Sequence, residues 1–263
     1  MNGGDSKWLK RRLPKEPGVG IGPHATYSMG SFPLQEITRI AKEYGYRTHI
    51  HVGESPLEAE LAYPKKIDEL GMKLKESEYR DIRLSGDGRS AVMYLDELGV
   101  FNEYCHIAHG IYVNETDREI LRKRKTVVAL CPRSNAVIGL DEPPIAAYLK
   151  EGNVVSLGTD SLSSSPSLDL LDDAALFFEI AKRQGYTAND LHSKLFDALT
   201  VGGAEALGKS AGNGRLGTLD EGCCADIAYF DVSKSEPLPE LLESGGGHCI
   251  ATIISGEKKY EKG

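Results

Sequence analysis

Four residues have the types and positions for hydrolytic chemistry: His51, Glu54, His109 and Asp160. His51 and Glu54 close the stretch Thr48-His49-Ile50-His51-Val52-Gly53-Glu54. Neutral imidazole together with carboxylate suits zinc, with iron or manganese also open. A divalent metal lowers the pKa of bound water from 15.7 to about 7, which supplies hydroxide at neutral pH. A carboxylate three residues past a histidine, as Glu54 is past His51, can be held nearby as a general acid or base. Each residue alone is a weak signal. A lone histidine is more often a hydrogen-bonded core or surface residue, and an aspartate after a strand is often a cap or turn residue. What raises the signal is that His51, His109 and Asp160 all terminate predicted parallel strands and so can converge on one side of a sheet.

The strands that must position them are readable from apolar runs. Gly18 to Gly22 reads as a short buried strand running into Pro23-His24-Ala25-Thr26-Tyr27-Ser28. A helix follows with Ser31 as N-cap, Leu34, Ile37, Ala41 and Tyr44 at helical spacing, and Gly45 as the stop. Further strands are Arg47 to Val52, Tyr104 to Gly110, Thr126 to Cys131 leading into Pro132-Arg133-Ser134-Asn135, and Asn153 to Leu157 leading into Gly158-Thr159-Asp160-Ser161. Between them lie a long connection from Glu54 to about Glu103 and a capped helix from Asn114 to Arg124. The connection carries amphipathic stretches, Pro56 to Leu74 and Ser90 to Leu98, around a Ser85 to Arg89 turn. Later helices are predicted from Ser167, as N-cap, to Gln184, from Thr187 to Leu199 and from Ala204 to Leu207. Apolar strands alternating with helices are the mark of a parallel sheet covered by helices. In a (β/α) barrel the C-terminal strand ends build the active site. Beyond Gly214 the pattern changes to short strands, Arg215 to Leu219, Ala225 to Asp231 and Cys249 to Ile254, expected to pair antiparallel. The expected division is a basic arm at 1–16, a partial barrel at 17–210 and a C-terminal β portion at 211–263.

Composition narrows the function classes. A net charge of −8 lacks the basic footprint of a nucleic-acid binder. The 40% hydrophobic and 27% charged fractions are those of a globular protein, not a disordered one. The five cysteines, Cys105, Cys131, Cys223, Cys224 and Cys249, form no CxxC pair, which argues for a reducing compartment. No apolar run approaches the ~18 residues of a spanning helix, and the N-terminus lacks a signal-peptide core. The expectation is a cytoplasmic protein without nucleic-acid or membrane partners.

The segments Pro23 to Ser28, His49 to Glu54, Ala108-His109-Gly110, Cys131 to Asn135 and Gly158 to Ser161 resemble, in order, successive strand-end motifs of the amidohydrolase superfamily. The nearest branch is similar to methylthioadenosine/S-adenosylhomocysteine deaminases, with aminodeoxyfutalosine, guanine and cytosine deaminases and triazine hydrolases as relatives. Gly214 to Gly222 and Ala225 to Ala228 resemble that family's return into a β-sandwich. The resemblance implies an incomplete TIM-like (β/α) barrel, strands 4 to 8, with a small C-terminal β-sandwich remnant. His51 and Asp160 are implied as ligands of one divalent metal, zinc in the first place. Asp160 is also implied to take a proton from the metal-bound water. Glu54 is implied as the shuttle to the ring nitrogen and the departing ammonia, and His109 as a partner of the attacking water. His24, Arg133, Ser134, Asn135 and Ser161 are implied near the substrate, Asn135 equally as a stabiliser of its own loop.

Related binuclear enzymes use a bridging lysine at the fourth strand. Gly18 to Ser28 contains none, which favours a mononuclear site. The family's His-x-His pair from its first strand has no counterpart here. His49 does not replace it, lying about 7 Å deeper along the strand than His51. A full barrel needs ~250 residues, so the chain reads as an N-terminally truncated amidohydrolase. A partial barrel exposes strand edges and apolar helix faces. The expected covering is a second copy in a homo-oligomer, or a partner chain supplying the missing strands. The implied function is deamination of a purine-type nucleoside or related heterocycle. The alternatives are a noncatalytic or subunit-dependent fragment and a hydrolase of a C–Cl or cyclic amide bond.

Overall fold

The computed structural model describes residues 20–26, 28–56, 58, 89–232 and 235–263. The predicted arm at 1–16, the amphipathic stretch 56–74 except for 56 and 58, and the turn at 85–88 lie outside them. The chain divides into two compact units between Val128 and Ala129.

In the first unit, α1 (Ser31–Tyr44) buries Leu34, Ile37, Ile40 and Ala41 along one face. Gly45 ends it in the left-handed conformation at φ 68°, as the sequence predicts. Its N-cap is Gly30, one residue before the expected Ser31. No side chain caps that end. β1 (Thr48–Val52) alternates, burying Thr48, Ile50 and Val52 and leaving His49 and His51 half-buried on the opposite side. α2 (Ala91–Glu97) starts where Ser90 accepts the Met93 N–H. β2 (Cys105–His109) pairs with β1 in parallel, with His49 opposite His106 and His51 opposite Ala108. Of the predicted strand before α1, the described part forms one isolated parallel bridge to β1, Ile21 to Thr48, and a second joins Ala25, beyond that strand, to His51. α3 (Glu115–Lys123) carries a complete capping box, Asn114 and Asp117 exchanging side-chain to backbone bonds.

The division between the units falls inside β3 (Val127–Leu130). In the second unit follow α4 (Pro132–Val137), α5 (Ile145–Glu151) and β4 (Val155–Leu157), which is buried throughout. The Gly158 N–H bonds to Leu130 O beside it. The hub of this unit is α6 (Leu170–Arg183), which buries Leu171, Ala174, Phe177, Phe178, Ile180 and Ala181. It packs against α4, α5, α7 (Leu191–Leu199) and, nearer the C-terminus, Pro237–Glu243; α7 also meets α8 (Val201–Ala206). Full burial of one Phe or Leu side chain stabilises by about 1.5–3 kcal/mol, so this helix anchors the unit. The tail holds β5 (Ile227–Phe230), α9 (Pro237–Glu243), β6 (Cys249–Ile254) and β7 (Glu257–Glu261). Its three strands form an antiparallel sheet ordered β5-β6-β7.

Several expectations are corrected. The N-cap of α6 is Asp169, whose carboxylate accepts the Leu171 N–H, while Ser167 bonds elsewhere. α7 begins at Leu191 behind Asp190, not at Thr187, and α8 at Val201, not Ala204. Arg215 to Leu219 makes one bridge, Arg215 to Cys223, in place of a strand. The short helices α4, α5 and α9 were not expected. Two of them open on Pro at the first turn, where its missing N–H costs nothing.

Candidate active site

In the first unit, the end of β1 gathers His24, His51, Glu54 and His109. The His51 ring Nδ1 lies 2.7 Å from the His24 carbonyl oxygen. The His51 backbone N–H bonds to the same oxygen at 3.0 Å. A carbonyl only accepts, so Nδ1 carries the proton and Nε2 is left with its lone pair. Metal-ligating histidines are commonly oriented in this way. The rings of His51 and His109 stack at 5.5 Å, and His24 lies 5.2 Å from His51. His109, 1% exposed, places Nε2 3.7 Å from Glu54 Oε1. The His24 ring also meets Ser28 Oγ at 2.6 Å.

Deeper along the same side, His49 Nδ1 lies 2.5 Å from His106 Nε2. Burial, then His49, then Arg47 push the His106 pKa down to about 3, so that ring is neutral. This pair is absent from the sequence-based site, although His49 and His51 alternate onto one side and His106 sits opposite His49.

In the second unit, Asp160 follows β4. Its Oδ2 accepts from Ser134 Oγ at 2.7 Å and Ser164 Oγ at 3.0 Å, and its Oδ1 from the Ser161 N–H at 2.7 Å. Ser134 and Ser164 are buried, 0% and 8% exposed. Asn135 is buried within α4 at 1% exposure, and Ser161 Oγ bonds Ser163 Oγ at the surface. Ser164 carried no signal in the sequence beyond belonging to a serine run.

Arg133 is turned inward. Nε donates to Asp173 at 2.9 Å, Nη1 to Ser167 Oγ and Asp172, and Nη2 to the Ser167 and Asp169 carbonyls. All five N–H donors are thereby engaged by the loop and first turn of α6. Contrary to the expectation for this residue, its guanidinium clamps α6, and the structure offers no donor on it for a substrate.

Backbone strain marks the end of β2 and the residues after β4. Among the described residues, the non-glycine residues at positive φ are His109 (73°), Lys125 (55°), Asp160 (58°) and Ser255 (52°). Such conformations cost about 1–3 kcal/mol and cluster at functional sites. Two of the four are residues singled out for their chemistry. Among the described residues, no group of three or more His, Cys, Asp or Glu is arranged to hold a metal ion.

Comparison with known proteins gives this geometry its context. A profile of the Amidohydrolase family matches residues 6–259. A 5-methylthioadenosine/S-adenosylhomocysteine deaminase of Thermococcus onnurineus is 32% identical over 243 residues, covering 89% of this chain and 51% of the relative. The chain thus spans about half the length of the curated relatives it matches. An adenosine deaminase from Xanthomonas campestris, solved with bound zinc, superposes with a TM-score of 0.79 at 22% identity, covering 97% of this chain and 55% of that one. An atrazine chlorohydrolase from Arthrobacter aurescens complexed with zinc gives 0.74 at 21% identity, covering 98% and 55%. The fold class is therefore an incomplete (β/α) barrel with a small C-terminal β-sandwich remnant. With the profile running nearly end to end, the chain belongs to the amidohydrolase family.

Proposed function

We propose that the chain forms part of a metal-dependent aminohydrolase acting on a purine-type nucleoside or a related heterocycle. The observation that carries this reading is the His51 ring. Its proton is fixed on Nδ1 by the His24 carbonyl, which leaves Nε2 as a donor atom at the end of β1. The residues fit a divalent metal in part. The family pattern implies His51 and Asp160 as ligands, and each within its own unit has the chemistry of one, Asp160 with two hydroxyls on one oxygen and a backbone N–H on the other. Such a metal, zinc before iron or manganese, supplies Lewis acidity and a nucleophilic water at neutral pH. Similarity to a methylthioadenosine/S-adenosylhomocysteine deaminase supports the substrate class.

Asp160 accepts a proton from the attacking water. Glu54 passes that proton to the ring nitrogen and the water's second proton to the amino group, which leaves as ammonia, a role that suits a carboxylate only 20% exposed. His109, beside Glu54, hydrogen-bonds the water. His24 and Ser161 are assigned to the substrate side, and Asn135, buried within α4, to holding its own loop. Ser134, first expected on the substrate side too, is assigned to holding Asp160, and Arg133 to the scaffold.

The test is ammonia release from methylthioadenosine, S-adenosylhomocysteine, adenosine, guanine and cytosine by protein reconstituted with zinc. Metal content and product analysis are measured alongside. Ammonia from a purine nucleoside with about one bound metal supports the reading. Metal well below one equivalent with no ammonia from any of the five sinks it, and chloride or ring-opened product from a triazine or cyclic amide would redirect it.

A second reading is a subunit-dependent site, to which the described residues contribute His51 and Asp160. In it the remaining donors come from outside those residues, through a second copy or another chain. Activity that rises with protein concentration, alongside a larger species in size-exclusion chromatography, would support this. Activity in a strict monomer would exclude it. Among the described residues, no helix is long and apolar enough to cross a membrane.

A further inference from the structure

We infer that Glu58 is a positioning residue that fixes the backbone carrying Glu54, an inference that rests on the deaminase reading of Glu54. Glu58 is an ionisable group buried to 1% exposure that the proposed chemistry does not use. Its Oε2 accepts the backbone N–H groups of Glu54 at 2.8 Å and Ser55 at 3.2 Å. Its Oε1 accepts the Thr26 hydroxyl at 3.0 Å. Two successive amides therefore converge on one carboxylate oxygen. Burial nonetheless pushes its pKa up.

Ser55 to Glu58 has the Ser-x-x-Glu form of a capping box, and capping alone accounts for the Ser55 N–H. It does not account for the Glu54 N–H, the Thr26 hydroxyl or the burial, since a cap works as well at the surface. Burying a carboxylate costs free energy unless several donors surround it. Here those donors are the amides around Glu54 and a hydroxyl two residues after His24. The carboxylate therefore ties together the loops that follow two adjacent chain segments, one bearing the His24 carbonyl that orients His51, the other bearing Glu54. Gly53 closes the turn at φ +63°, its carbonyl accepting the Ile111 and Tyr112 N–H groups and a Cβ there meeting Val113 Cγ1 at 3.2 Å. Gly53 and Ser55 are thus both held, and the Glu54 backbone between them is tied on either side.

The chemistry is sensitive to this because a misplacement of 1 Å costs on the order of 10²-fold in rate. Glu58→Leu removes every acceptor. Glu58→Gln keeps one oxygen for the two amides and turns its NH₂ toward Thr26 Oγ1, which can accept. In the zinc-reconstituted protein, E58L is expected to lower kcat by about 10- to 100-fold with KM within about 3-fold, and E58Q to stay within about 3-fold of the parent in both. Amide hydrogen exchange provides a readout independent of activity. The Glu54 and Ser55 amides are expected to exchange at least about tenfold faster in E58L and at parental rates in E58Q. Parental exchange in E58L, parental kcat in folded E58L, or equal loss in E58L and E58Q would each overturn the inference. If E58L does not fold, Thr26→Val removes only the hydroxyl. It should lower kcat about 3- to 10-fold with KM unchanged, and parental kcat overturns the inference. An unsubstituted protein that binds zinc but releases no ammonia counts against the deaminase reading, and exchange at Glu54 and Ser55 then decides the loop.

Discussion

Replacing Arg133 with Met separates a scaffold role from a substrate role. The guanidinium is 13% exposed, while its partner Asp173 is fully buried at 0% and 2.9 Å away. Burial pushes the Asp173 pKa up, and the bonds from Arg133 pull it back down. Without the arginine, a buried carboxylate loses its compensating charge. Breaking one partner of such a pair typically costs about 3–5 kcal/mol. For a chain of this size that corresponds to a fall in Tm of about 6–20 °C. The loss of the bonds to Ser167, Asp169 and Asp172 falls on the same loop and helix start. Urea unfolding followed by circular dichroism measures the change. Asp173→Asn in the R133M background removes the stranded charge and should recover about half of the loss. Lysine at 133 should restore little, because an ammonium cannot fork between side chains and carbonyls. The reasoning is refuted if R133M unfolds within about 1 kcal/mol of the parent while KM rises tenfold or more, the signature of a lost substrate contact.

Other measurements test the remaining assignments. The His106 pKa is held to about 3 in the folded protein, whereas the unfolded chain binds that proton near 6.5. Stability should therefore fall as pH drops below 6.5, by at most about 1.4 kcal/mol per pH unit. Glu58, Asp117 and Asp173 act in the opposite sense, since burial raises each of them and their charge costs less as pH falls. Urea unfolding of the parent and His106→Gln at pH 7 and pH 5 isolates the histidine, the variant losing up to about 2 kcal/mol less between the two; equal losses would discount it. Asn114→Ala removes the capping box of α3 and should cost about 1 kcal/mol, with no change in metal content. Ser134→Ala and Ser164→Ala each free one side of Asp160 Oδ2 and should weaken zinc retention by about 10- to 100-fold, read by competition with a chelator. Unchanged retention in both would remove the serines from that role.

Much of the architecture was legible because its causes are local. Apolar runs named β1 to β6 to within a residue or two, though β7 was not expected and Arg215 to Leu219 forms only a bridge, and the alternation of β1 puts His49 and His51 on one side. The cap at Asn114 and the stop at Gly45 were readable from residue type and spacing, while the reciprocal bond from Asp117 was not. Helix starts were less so. Ser167 and Asp169 are both competent N-caps, and only the pull of Arg133 on the Ser167 hydroxyl and carbonyl leaves Asp169 to cap α6.

Residue types and strand ends determined which side chains were chemically eligible: His51, Glu54, His109 and Asp160 stand out without a fold. Tertiary structure decided what each eligible group is bonded to. Arg133 looks like a substrate contact in sequence and becomes a clamp because its partners lie 34 to 40 residues away. Glu58 looks like a cap and becomes a tie because Thr26, 32 residues earlier, folds onto it. Periodicity fixes the side of an element on which a residue points, since that depends on backbone repeat alone. The partner it meets there is set by the packing of distant segments, which the repeat does not encode.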